Sequence, residues 1–206
     1  MKILVVSAHP DDVEIACSGT LKKFQQQGAD IISVITVQPS VEDRTGRDQL
    51  IVQSELAASY QNSKFDLRVL DTVLHANGRP NLVRDNVTMS KLNQLLEPCD
   101  IAIIPNPEDS HQDHVNTYHL AFPMLKKLAK QVWITHQWPY CHYYSTQPNL
   151  FVDIQEHWEF KKTLLKCYKS YLTAEDIEHI RVTNQYWAQR NQQSLAEAFT
   201  VVNNYF

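Results

Sequence analysis

Two short stretches concentrate groups that can hold a cation or move a proton: His9-Pro10-Asp11-Asp12 and His111-Gln112-Asp113-His114. Taken singly, each has a plain explanation. Asp is a common helix N-cap, and a His near a helix start is commonly a solvated residue. Taken together they offer imidazoles and carboxylates, the donors that divalent transition metals prefer. Two imidazoles and one carboxylate closing on one ion leave a coordination position for water, as in catalytic zinc sites. The same donor set also suits non-haem iron(II), so donor type alone leaves the metal open.

Such a site needs both stretches at one place, and the flanking residues point to it. Ile3 to Ser7 is an apolar, β-branched run of the kind that forms a buried strand. Pro10 has a fixed φ and forces its predecessor into an extended conformation, so the strand ends at His9. Leu21 and Phe24 belong to a helix stopped by Gly28, and Ile31 to Val37 is a second strand. Residues 38–47 read as a polar loop, 50–60 as a helix, and 67–70 as a strand. A loop over 71–81 precedes a helix over 87–97 that Pro98 halts. Ile101 to Ile104 is a fourth strand, followed by the loop that carries His111. Tyr118 to Lys130 reads as a helix interrupted at Pro123, and Val132 to Thr135 as a fifth strand. Further segments are a strand at 150–154, helices over 156–171 and 174–190, and a last strand at 199–202. Alternating strands and helices predict an α/β, Rossmann-like doubly wound domain. Its mostly parallel sheet carries helices on both faces and spans residues 1–206 as one unit. His9 and His111 then both follow strand ends on one edge of the sheet, where open α/β folds place their ligands.

Composition narrows the function. The chain has 206 residues, is 43% apolar and 20% charged, and carries a net charge of −4. No basic run is present, which argues against nucleic acid as the main partner. No stretch approaches the ~18 apolar residues of a membrane span, and no signal h-region precedes His9. The four cysteines, Cys17, Cys99, Cys141 and Cys167, are widely spaced, as free thiols of a cytoplasmic protein would be. Of the other histidines, only His142 lies where it could line the pocket, in the segment after the fifth strand. The neighbouring Trp138, Tyr140, Tyr143 and Tyr144 suit either a sugar-stacking surface or simple packing at the sheet end.

The pairing of Ala8-His9-Pro10-Asp11-Asp12-Val13-Glu14 with His111-Gln112-Asp113-His114 resembles the PIG-L (LmbE-like) family of zinc-dependent N-acetyl sugar deacetylases. Softer similarities run along the rest of the chain. Leu70-Asp71 resembles the family's strand-end aspartate, and Pro98-Cys99-Asp100 its approach to the second motif. Phe151-Val152-Asp153-Ile154 with Lys161 or Lys162, and Ala196-Glu197-Ala198-Phe199, resemble its later segments. The resemblance implies His9, Asp12 and His114 as metal ligands and Asp11 as general base. It implies that His111 stabilises the oxyanion and helps protonate the amine, with Asp113 orienting it. Arg44 and Arg47 match the loop that contacts substrate in relatives. The chain departs from the family pattern at Cys17-Ser18, where Gly-Gly is usual, at Gln112, where proline is usual, and at Val52, where an arginine is usual. The Val13-Glu14 variant resembles members that act on N-acetylglucosaminyl-malate.

The expected activity is hydrolysis of an N-acetylated, N-acetylglucosamine-type sugar conjugate by water activated on Zn2+, with Fe2+ as the other cation the donors suit. Two alternatives stand beside it: a metallohydrolase of a non-sugar amide or ester, and a metal-containing sugar-binding protein without turnover. The expected partner is a small molecule, and the oligomeric state, a homo-oligomer included, is open.

Overall fold

A computed structural model describes residues 1–37, 48–72, 82–139 and 145–203. The elements run β1 (Lys2–Ser7), α1 (Asp12–Ala16), α2 (Ser18–Gln26), β2 (Asp30–Ile35), α3 (Gln49–Ser63), β3 (Asp66–Val69) and α4 (Asn86–Asn93). They continue with β4 (Cys99–Ile104), α5 (Gln112–Leu128), β5 (Ala129–Thr135), β6 (Leu150–Asp153), α6 (Trp158–Leu165), α7 (Ala174–Ala188) and β7 (Ala196–Asn203). The strands form one sheet in the order β3-β2-β1-β4-β5-β7-β6. Strands β1 to β5 pair in parallel, and β7 inserts antiparallel between β5 and β6. This is the expected doubly wound α/β architecture.

The central strands β1, β2 and β4 are largely apolar runs because both faces of the sheet are covered there. Leu4, Val6, Val34, Ala102, Ile104 and Val132 pack with Leu92, Leu120 and Leu125 of α4 and α5 on one face. Ile3, Val5, Ile35, Ile103 and Phe199 pack with Val13, Leu21, Leu56 and Tyr60 of α1 to α3 on the other. From β1 the order runs outward through β2 and β3, then returns to start again at β4. The chain therefore reverses between β1 and β4, and crossovers leave that point in opposite directions. A crevice opens at such a switch point, beyond the carboxyl ends of the strands. The loops after β1 and β4 carry the two motifs to it.

Several boundaries differ from the sequence-based expectation. The first helix is broken in two at Cys17, whose φ of −149° is not helical. The break lets α2 start afresh at Ser18, with Gly19 close against another part of the chain. A Cβ at Gly19 would lie 2.9 Å from Ile154 Cβ and Cγ2. The helix expected from Tyr118 starts six residues earlier, at Gln112, and runs through Pro123 to Leu128. The polar first turn of α5 hid that start, since apolar spacing begins only later. The helix expected over 156–171 is a shorter α6, entered through a single 3-10 turn at Gln155–His157.

Candidate metal centre

His9 leaves the end of β1, and Pro10 and Asp11 form a turn into α1. Asp11 stands at the helix N-cap but makes no side-chain capping bond there. The carboxylate of Asp12 instead reaches back, accepting from the backbone N–H of Ala8 at 3.1 Å and of His9 at 2.8 Å. Those bonds fix the Asp12 carboxylate against the strand end. The two adjacent acids thus have different surroundings, which allows them different roles.

Across the switch point, His111 is the N-cap of α5 and His114 lies in its first turn. His114 is buried. Its Nε2 lies 3.2 Å from Asp12 Oδ1 and 3.2 Å from His9 Nδ1. His9 Nδ1 lies 3.6 Å from Asp12 Oδ2. An ion bound at about 2.1 Å from each of three tetrahedral donors holds those donors about 3.4 Å apart. The imidazole pair matches that spacing, and each imidazole has one of the two Asp12 oxygens near it, Oδ1 for His114 and Oδ2 for His9, so the donor types suit a divalent transition metal. His111 also belongs to the cluster: candidate donor atoms of His9, His111 and His114 all lie within 4.8 Å of one another.

The electrostatics agree with a site built for positive charge. Burial alone would strip His114 of its proton, yet the charge of Asp12 and a bond to Asp109 lift it to about 10. Burial opposes charge on His9 as well, but hydrogen bonds to Asp113 and Asp12 raise it to about 9. Burial would raise Asp12, but the His114 charge and hydrogen bond hold it well below the usual carboxylate range. Two protons would thus gather where one dication can sit instead. Cation binding releases such protons, because ligands must be neutral imidazoles and an ionised carboxylate.

Outer contacts orient the donors. Asp109 Oδ2 pairs with His114 Nδ1 at 2.8 Å, which turns Nε2 toward the cluster. Asp113 Oδ2 lies 3.2 Å from His9 Nε2 and 4.0 Å from His111 Nδ1. The expected Asp113–His111 pairing is therefore the longer of its two contacts. The backbone N–H of Asp113 donates to His111 Nδ1 at 3.3 Å, so a neutral His111 carries its proton on Nε2. Burial and the two neighbouring imidazoles lower the His111 pKa, which favours that neutral form.

Sequence reasoning did not single out Asp109, Gln137 or Tyr168. Gln137, after β5, donates to Asp12 Oδ1 at 3.4 Å. The position of Asp109 two residues before His111 was the available signal; for Gln137 and Tyr168 there was none. Glu14 is buried beside the motif, where Ser59 Oγ donates to its Oε1 at 2.5 Å. Burial pushes Glu14 up to about 8, which favours its neutral form. Arg44, Arg47 and His142, the expected substrate contacts, lie outside the described residues. Trp138 is half-buried, with its ring stacked on His179 at 6.0 Å between centroids. It packs beside the cluster of Ile15, Trp158 and Tyr168.

The later similarities have a structural meaning. Lys161, fully buried, bonds Glu197 Oε1 at 2.6 Å and the Ile15 carbonyl at 2.7 Å. Glu197 in turn accepts from the N–H groups of Gly19 at 3.1 Å and Thr20 at 2.7 Å, at the start of α2. Lys162 lies at the surface, 3.8 Å from Glu159, so Lys161 is the lysine of that segment that matters.

Comparison with known proteins places these features in context. The PIG-L family, described as GlcNAc-PI de-N-acetylase, matches residues 4–125, more than half of the chain. The diacetylchitobiose deacetylase of Thermococcus kodakarensis is 24% identical over 100% of this chain and 84% of its own. The N,N'-diacetylchitobiose deacetylase structure from Pyrococcus horikoshii superposes with a TM-score of 0.77 at 20% identity, covering 100% of this chain and 85% of that one. The same fold also carries a 4-carboxy-2-hydroxymuconate hydratase, GalB of Pseudomonas putida KT2440, at a TM-score of 0.73 and 18% identity over 98% and 95% of the two chains.

Proposed function

This chain belongs to the PIG-L family, and on that premise we propose that it is a metal-dependent hydrolase that removes the acetyl group from an N-acetylated sugar conjugate. The observation that carries the reading is the convergence of His9 Nδ1, His114 Nε2 and the Asp12 carboxylate, whose Oδ1 lies 3.2 Å from His114 and Oδ2 3.6 Å from His9, the two imidazoles being 3.2 Å apart. Relatives that deacetylate chitobiose support the substrate class.

His9, Asp12 and His114 hold the cation, for which zinc is the first choice and iron(II) the second. Bound there, such an ion supplies Lewis acidity toward the amide carbonyl and lowers the pKa of water to about 7. Asp11, next in the chain to the ligand Asp12 and not committed to capping α1, takes the proton from the attacking water. His111 presents Nε2–H to the oxyanion that develops as the carbonyl carbon becomes tetrahedral. The C–N bond then breaks, the amine takes the proton that Asp11 removed from the water, with His111 helping its delivery, and acetate and a free amino sugar leave. Asp113 steadies both imidazoles by its contacts to His9 and to His111. The dispersed cysteines suit a reducing, cytoplasmic setting.

Acetate release from a panel of N-acetylglucosamine conjugates, with zinc or iron(II) supplied, tests the reading. Acetate formed with the metal and abolished by Asp11→Ala supports it. Tight sugar binding without acetate would favour the non-catalytic alternative. Phosphate release, or hydration of an unsaturated acid, would move the chain to another chemistry on this fold.

A further inference from the structure

The turn that carries Asp11 and Asp12 is weakly held by its own backbone. Its closing bond, from the Asp12 N–H to the His9 carbonyl, is 3.4 Å long, beyond the usual range for such bonds. The Asp12 carboxylate closes the turn on the Ala8 and His9 amides, and a further tie, on the Pro10 carbonyl between them, comes from far along the chain. The Tyr168 hydroxyl lies 2.6 Å from the Pro10 carbonyl oxygen and 2.9 Å from Glu14 Oε1. A hydroxyl has one proton and a carbonyl can only accept. At 2.6 Å that proton lies on the Pro10 side.

The Pro10 carbonyl belongs to the peptide plane that joins Pro10 to Asp11. Fixing that plane fixes the direction in which the chain enters Asp11 and, one residue on, Asp12. Tyr168 is well placed as an anchor. It is buried, follows the end of α6, and packs with Ile15, Leu165, Leu172 and Ile177.

We propose that Tyr168 is a positioning residue for the metal centre, acting through the Pro10 carbonyl to hold the His9–Asp12 turn in its ligating shape. It touches neither the cation nor the substrate. The substrate class plays no part in this inference; only the metal-ligand reading of His9 and Asp12 does.

Tyr168→Phe removes the hydroxyl and keeps the ring. The apparent Kd for Zn2+ alone, measured by chelator competition, is expected to weaken roughly tenfold, within the range seen when such outer contacts are lost. The visible spectrum of the Co2+-loaded protein is expected to change with it, while the Tm of the metal-free protein moves little. On an acetylated sugar, kcat falls by about tenfold and KM stays within twofold. A Zn2+ affinity within twofold of the unmodified protein, with an unchanged Co2+ spectrum, overturns the proposal. A lowered Tm without a change in affinity does the same, since Tyr168 would then be a packing residue. The affinity measurement needs no substrate, so a protein that shows the Kd change but never releases acetate rejects the proposed function and leaves the anchor standing.

Discussion

Lys161 and Glu197 meet at 2.6 Å with neither side chain exposed, and the pair locks the start of α2 to the last strand of the sheet. Each partner has more than the other to satisfy: the Ile15 carbonyl for Lys161, the Gly19 and Thr20 amides for Glu197. Removing one member leaves a buried charge alone, which costs about 3–5 kcal/mol. Lys161→Met is expected to lower stability by that amount, read as a fall in the urea midpoint. Lys161→Met with Glu197→Gln removes both charges and is expected to be milder than Lys161→Met alone. A single variant as stable as the parent would show that the pair is not a fastener.

Asp109 reaches His114 through the ring nitrogen that faces away from the cluster. Asp109→Asn is expected to weaken metal binding by about 10–100-fold, because the ring loses both basicity and a fixed orientation. Chelator competition with Zn2+ measures it, and an unchanged Kd would remove Asp109 from the centre.

The proposed ligand set can be separated from the groups around it. His9→Ala, Asp12→Ala and His114→Ala are each expected to lose stoichiometric metal by elemental analysis. His111→Ala is expected to keep the metal and lose about 10²–10³ in kcat, the usual scale for removing an oxyanion donor. Metal loss in His111→Ala would make it a ligand, consistent with its place in the three-histidine cluster.

Much of this arrangement was legible in the residues. The apolar runs ending at His9 and before His111 placed both motifs at one sheet edge, because the period of buried strands is plain in a doubly wound fold. The role of β7 was not legible. A strand of eight residues beginning Ala-Glu-Ala-Phe gives no sign that it runs antiparallel or wedges between β5 and β6, since register is a property of the whole sheet. Asp109 and Tyr168 were hidden for a related reason: a single acid or tyrosine becomes an orienting group only through what it meets in space.

Gly19 illustrates a tight approach that only glycine allows. Gly19→Ala is expected to cost about 1–3 kcal/mol, as overpacking does. Ile154 Cβ, 2.9 Å from the added methyl, is fixed by its own backbone and cannot swing away. The urea midpoint checks it, and a neutral substitution would mean that α2 shifts freely.

His136 sets an acid limit on the fold. Burial favours its neutral ring and lowers its pKa from 6.5 to about 4, against a weaker pull from Glu108. Between those values the unfolded chain binds more protons than the folded one. Stability therefore falls as pH drops from about 6.5 to about 4, by at most ~3 kcal/mol from this group. His136→Gln is expected to flatten that slope, and parallel curves of stability against pH for the two proteins would refute it.

The position of β7 has a consequence for how the protein is made. A ribosome delivers residues 1–125, with every candidate ligand, well before it delivers residues 196–203. Until that late strand slots in, the Gly19 and Thr20 amides lack their carboxylate, and β6 has no neighbour. The half of the chain with the proposed ligands thus waits on a strand synthesised well after it, and a nascent chain stalled short of β7 has those residues but not the frame that holds them still.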